Sequence, residues 1–309
     1  MSYQPRTAHL LLHPAPEPGA TGLSWVHRAV RTAEAGLFDA VIAPTPGPAV
    51  PAEPSTLLAV LAATTTHIGL IASVSAQYVA PYNQARMLNT LDNLSVGRAG
   101  WKLITSATED SAPQLHPAST PESQRLARAA EFNAVLRKLW ESWAPDAVPA
   151  DKESGVYVDF DRLHSIDHGG DFFRVAGPLN LPRSPQLHPP LLVGVDSAEL
   201  AAFACEHAEV AVISDTDTRD RVAGVPIVLR SLQVDLADPG ALSAELAADV
   251  TSGDVDGHVL TLTADGTEQF VDEVIPRLRE RGVFRDRYET SALRDHLGLT
   301  AAVPVGAVR

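Results

Sequence analysis

The chain has 309 residues, of which 45% are hydrophobic and 20% charged, with a mean hydropathy of zero. This balance describes a globular chain large enough for one sizeable core and excludes disordered and fibrous classes. Its 38 acidic and 24 basic residues leave a net charge of -14, and the basic residues do not cluster. Phosphate backbones and anionic bilayers are repelled by such a surface, so neither nucleic acid nor a membrane is expected as a partner. One cysteine, Cys205, rules out an intramolecular disulfide and any multi-thiolate metal site, and fits a reducing compartment. The opening apolar run is too short for a signal peptide or a transmembrane span and is closed by Pro14 and Pro16, so a cytoplasmic location is expected.

Along the chain, short apolar runs bounded by Pro, Gly or Asp alternate with helical patterns, which predicts βα units around a parallel sheet. The predicted strands are 7-13, 38-44, 67-75, 98-105, 190-195, 209-214, 225-235 and 256-263. Eight is the number a closed (β/α)8 TIM barrel requires, and runs apolar on both faces suit buried parallel strands. Helices are predicted at 22-36, 52-66, 81-94, 121-143, 197-208, 240-249 and 266-282. The link from 214 to 225 is too short for a full helix and predicts one barrel helix reduced to a turn. Residues 145-189, rich in Pro and Gly, form an insertion after the fourth βα unit, within a single domain over 1-309. Such a segment is expected either as a lid or as an excursion packed on the outside of the barrel.

The chemistry-bearing residues are sparse. No GxSxG elbow, Walker loop or GxGxxG follows a strand, which weakens serine-hydrolase, P-loop and Rossmann readings together. His164 and His168 with Asp167 between them could bring two imidazoles and a carboxylate together, but no HExxH or clustered Cys/His pattern supports a metal; Asp167 and His168 are expected to order the segment by hydrogen bonds, and no metal site is assigned. His207 reads as a structural histidine on an Ala-rich helix. The run 67-75 ends in Ser73 and Ser75, then Ala76, Gln77 and Tyr78, with Pro81 opening a helix. Trp101, Lys102, Thr105 and Ser106 repeat the pattern on the next strand. Hydroxyls and backbone groups at strand C-termini suit the polar edge of a planar ligand, although strand-end capping explains the same residues.

The stretch 53-106, EPSTLLAVLAATTTHIGLIASVSAQYVAPYNQARMLNTLDNLSVGRAGWKLITS, resembles the bacterial luciferase-like flavin-dependent monooxygenases, in their nitrilotriacetate and dibenzothiophene-sulfone monooxygenase branch. Three further blocks agree in order: RAAEFNAVLRKLWESW and its continuation at 128-159, IDHGGDFFRVAGPLNLPRSPQ at 166-186, and FVDEVIPRLRERGVFRDRYETSALRDHLGL at 270-299. Together they cover well over half of the chain. The resemblance implies a luciferase-like (β/α)8 barrel and a two-component oxidoreductase. Such an enzyme uses reduced FMN, supplied by a separate flavin reductase, and O2 to oxygenate a small organic substrate. In such an enzyme the flavin carries the chemistry while the protein places the substrate and excludes water, so no protein nucleophile or acid pair is expected.

By the same resemblance, flavin is expected against Ser73, Ser75 and Ala76, with Tyr78 and Trp101 as walls, Thr105 and Ser106 as floor, Lys102 as an anion partner and Ser197 as the phosphate hydroxyl. Departures from the family pattern fall on these positions. The second strand ends in Ala43-Pro44 where members carry an aspartate, Gly-Trp-Asn reads Gly100-Trp101-Lys102, and Pro-Tyr-His reads Pro81-Tyr82-Asn83. A phosphate-contacting His and Tyr fall on Glu122 and Leu126, and Gly-Ser-Ser reads Val195-Asp196-Ser197. Like charges at Glu122 and Asp196 oppose a phosphate by an expected few kcal/mol. The chain is also shortened between its sixth and seventh strands and in its N-terminal region. Homodimerisation, or a heteromer with a longer homologue, is implied. Two other functions stay open: a non-catalytic partner subunit or small-ligand binding protein, and an enzyme on this barrel that uses a deazaflavin or no flavin.

Overall fold

The computed structural model describes residues 7-104 and 120-304. In chain order it contains β1 (His9–Pro14), α1 (Ser24–Ala35), β2 (Ala40–Ile42), α2 (Pro54–Thr64), β3 (Gly69–Ser75), α3 (Pro81–Leu94), β4 (Ala99–Ile104) and α4 (Glu122–Glu141). A small antiparallel hairpin of β5 (His168–Gly169) and β6 (Arg174–Val175) follows. Then come β7 (Leu191–Val195), α5 (Ala198–His207), β8 (Val210–Ile213), β9 (Ile227–Gln233), α6 (Pro239–Ser252) and β10 (Gly257–Leu262), and finally α7 (Ala264–Gln269), α8 (Ile275–Glu280) and α9 (Leu293–His296). The eight longer strands close into a parallel barrel in the order β1-β10-β9-β8-β7-β4-β3-β2. All eight predicted strands are present, so the (β/α)8 architecture expected from the apolar runs is the observed one. Among the described residues, no helix is long and apolar enough to cross a membrane.

Local chemistry explains the helix boundaries. Glu53 caps α2 by accepting from Ser55 N at 3.0 Å and Thr56 N at 2.8 Å, with Pro54 in the first turn. Asp238 caps α6 ahead of Pro239, and Gly253 ends that helix at φ 86°, a left-handed conformation that costs glycine little. The short link after β8 holds only a 3-10 turn at Thr216–Val222, capped by Asp215, as its length predicts. The single helix expected over 266-282 is instead α7 and α8 joined by a π-helical turn at Phe270–Val274. Pro276, in the first turn of α8, has no N–H to continue a regular ladder, and the extra residue per turn absorbs that loss.

Two cores result. The larger lies between strands and helices, while Leu11, Ile42, Ile71, Leu192, Val210, Leu229 and Val259 fill the barrel interior with Leu293 of α9 and Leu297 just beyond it. That last helix, which periodicity did not reveal, plugs the N-terminal end. Gly69 and Gly100 make the room: a Cβ would lie 2.6 Å from Leu293 Cδ1 at the first and 2.8 Å from Cδ2 at the second. Below the plug, buried Asp39 accepts from Leu10 N at 2.8 Å and contacts His9 and Arg285. Burial alone would raise that carboxyl, but His9 and Arg285 hold it below its usual range. Outside the plug, His9, Arg285 and His296 line a polar cavity of about 610 Å³ at this end, while the barrel interior itself opens at the C-terminal mouth.

Candidate functional site at the barrel mouth

Alternation along each strand decides which side chains reach the mouth. On β1, Leu11 points inward, so His13 two residues on shares its face. Register places His13 beside Thr261 of β10, and Ser73 of β3 beside Lys102 of β4. Lys102 also neighbours Leu192, and its Cε approaches within 4.0 Å of where a side chain at Gly194 would begin. Glycine on β7 thus leaves space that the lysine stem occupies. The upper layer of the barrel is therefore polar, with His13, Ser73, Lys102 and Thr261 standing above the apolar layer.

Electrostatics in this layer are one-sided. Among the described residues, no carboxylate lies within ion-pair distance of Lys102 and no acceptor takes its Nζ protons. The imidazole of His13 is pushed down to about 4 by burial, with the charge of Lys102 adding to the effect. His13 is consequently neutral at physiological pH and Lys102 supplies the charge. Sequence reasoning passed over His13 and Thr261. Counting inward parity from Leu11 in HLLLHP finds the histidine, but only knowing which phase faces inward makes the count meaningful.

Other expected site residues are placed differently. Ser75 shares the inward face of β3, and its Oγ accepts from Gln77 N at 3.3 Å. The buried Ala76 offers its carbonyl to Arg128 Nε at 3.1 Å. Tyr78 lies beyond the strand end, in a rim cavity of about 640 Å³ shared with Tyr82, Arg128, Phe172 and Phe173. Trp101 is not a wall of the mouth. Being adjacent to inward Lys102, it points outward and packs at 6.3 Å against Phe132 of α4, 1% exposed. Thr105 and Ser106 lie outside the described residues.

Ser197 forms the N-cap of α5, accepting from Leu200 N at 3.1 Å and donating to Glu122 Oε1 at 3.1 Å. Its single proton is therefore committed to a carboxylate, with exposed Asp196 next to it. The mouth thus presents hydroxyls, a neutral imidazole and an ammonium, whereas at this helix end the serine hydroxyl already serves an internal carboxylate.

The insertion divides in two. Its hairpin stands at the rim, where Glu131 of α4 accepts from His168 Nε2 at 3.0 Å, Phe172 N at 3.0 Å and Phe173 N at 2.8 Å. Burial opposes the charge on Glu131, but these donors outweigh it and keep the carboxyl below its usual range. Lys138 Nζ lies 3.3 Å from the other ring nitrogen of His168, and Asp167 accepts from Ser165 Oγ at 2.9 Å. Arg128 stacks 4.3 Å from the Phe173 ring centroid, clamping the hairpin to the end of β3. Beyond the hairpin, the Pro-rich run packs outside the barrel, with Asn89 Nδ2 donating to Pro182 O at 2.9 Å and Gln186 held by Asp92.

Comparison with known proteins agrees with the barrel fold. Residues 9-226 fit the profile of the luciferase-like monooxygenases. The chain belongs to that family. One of the subunits of pristinamycin IIA synthase from Streptomyces pristinaespiralis is 36% identical over 285 residues, covering 91% of each chain. N-acetyl-S-(2-succino)cysteine monooxygenase of Bacillus subtilis is 27% identical over 411 aligned positions, covering 94% of this chain and 93% of that one. The longer alignment means that this relative carries segments absent here, while the first relative is as compact as this chain. A crystal structure of riboflavin lyase with modified FMN and riboflavin superposes at a TM-score of 0.81, with 21% identity over 96% of each chain.

Proposed function

We propose that this luciferase-like monooxygenase is the oxygenating component of a two-component system, using reduced FMN from a separate flavin reductase to oxygenate a small organic substrate. Family membership supports the reaction class, and one observation supports the location: a barrel plugged at its N-terminal end by α9 opens on a polar layer bearing Lys102 and neutral His13. Reduced flavin supplies the O2-activating chemistry when bound. The chain's own part is placement. Ser73, Ser75 and Thr261 offer hydroxyls to the polar edge of the ring, Lys102 offers positive charge, and neutral His13 can accept or donate one hydrogen bond without adding charge. The apolar layer beneath keeps water from the buried side of the ring. At the rim, the Glu131–His168 brace holds the hairpin as the candidate lid edge. The free thiol of Cys205 suits the reducing cytoplasm, where a reductase would deliver the flavin.

Anaerobic titration with photoreduced FMN tests the assignment. Saturable binding in the micromolar range is the expected result, and none up to millimolar concentration refutes it. A second reading, a heteromer with another luciferase-like chain, is favoured by one specific finding. The equally compact relative is named as one component of a synthase with more than one kind of chain. Native mass spectrometry of the purified chain, alone and with a longer homologue, separates a homodimer from that arrangement.

A further inference from the structure

We propose that Lys102 is the residue by which this chain distinguishes redox states: it pairs with the negative charge of the reduced flavin ring and so binds that anion in preference to the neutral oxidised ring. The inference rests on the flavin reading above and goes beyond it by assigning a selectivity to one side chain.

Three observations carry it. Lys102 is fixed inside the mouth by strand register, between Ser73 and Leu192, with its stem laid over Gly194. It is partly buried, yet among the described residues it has neither an ion-pair partner nor a hydrogen-bond acceptor. A lysine withdrawn from water without a partner is unfavourable unless a ligand completes it. The third observation concerns its surroundings. In a chain of net charge -14, the described residues that register and contact place beside Lys102 are Ser73, Leu192 and Gly194, with His13 near enough to feel its charge, and none of these is anionic. His13 is neutral there and leaves the positive potential uncancelled.

A planar heteroaromatic anion is the ligand class this arrangement selects. Two-electron reduction of a flavin leaves a negative charge shared between N1 and the adjacent carbonyl oxygen, at the polar edge of the ring. A fixed ammonium at that edge stabilises the reduced form and adds little to the oxidised one. No electron or atom transfer is required of Lys102 itself.

The test uses the full chain under anaerobic conditions at mildly alkaline pH, where the reduced ring is anionic, with FMN and with lumiflavin, which lacks the phosphate. Dissociation constants for oxidised and reduced forms come from absorbance and fluorescence titration, and the midpoint potential of the bound flavin from dye equilibration. Wild type should bind both reduced flavins at least about tenfold tighter than the oxidised ones, a rise of about 30 mV in the two-electron potential per factor of ten. In Lys102→Met that ratio should fall to within about threefold, with oxidised affinity little changed, while Lys102→Arg should retain it. Lys102→Gln serves if the methionine variant does not fold, and circular dichroism checks both. A preference retained in Lys102→Met, or absent from a wild type that binds flavin, overturns the inference and leaves the flavin reading standing. Failure of wild type to bind either flavin in either state overturns both.

Discussion

His13 allows the mouth geometry to be tested through stability alone, without any ligand. Its imidazole falls from 6.5 in an unfolded chain to about 4 in the folded protein, first through burial and then through the charge of Lys102. The unfolded state therefore binds more protons between these values, and stability is lost as pH falls from 6.5 toward 4. At about pH 5 the unfolded imidazole is almost fully charged and the folded one mostly neutral, which removes about 2 kcal/mol relative to neutral pH. His13→Gln abolishes this dependence. Urea unfolding of wild type and variant at about pH 7.5 and pH 5 gives a double difference in which other titrating groups cancel, including the depressed carboxyls of Asp39 and Glu131. The variant should lose less stability on acidification by about 2 kcal/mol. A double difference near zero would show that His13 titrates as a solvated imidazole, and the account of the polar layer would fall.

Glu122→Gln should raise affinity for FMN relative to riboflavin by about ten- to hundredfold, since it removes a carboxylate from the helix end expected to face the phosphate. Parallel titrations with the two flavins measure it, and an unchanged ratio places the phosphate elsewhere. Glu131→Gln, which cannot accept equally from His168, Phe172 N and Phe173 N, should loosen the rim hairpin. Hydrogen exchange at those two amides should then accelerate about tenfold, as expected for about 1.5 kcal/mol of lost hydrogen bonding. Unchanged protection would mean that packing against Arg128 holds the hairpin without the carboxylate. Arg98→Lys should destabilise the fold by about 3 kcal/mol in chemical denaturation. The buried guanidinium donates to Ala62 O, Thr65 O, Thr65 Oγ1, Ile68 O and Ser95 O, which one ammonium cannot serve together.

The barrel was legible in the sequence because its code is local. Apolar runs of strand length, each followed by a helical pattern, identify parallel βα units regardless of how the chain closes. Capping residues such as Glu53 and Asp238 act within one turn, so their helices also begin close to where the sequence places them. The weak link after β8 was visible as simple shortness. The family, too, was readable from contiguous blocks.

What the linear chain left undecided was orientation and distance. Trp101 and Lys102 are neighbours, and composition makes either a pocket residue. Only the register of β4 between β3 and β7 turns the lysine inward and sends the tryptophan against Phe132. The glycines at 69 and 100 acquire meaning only when Leu293, far along the chain, comes to rest between them. Likewise, Glu122 and Ser197 are 75 residues apart and become partners because α4 and α5 start side by side above the barrel. Strand and helix formation depends on neighbours along the chain. The charge inside the mouth depends on which side chains closure brings face to face, and that is where His13 and Lys102 acquire their roles.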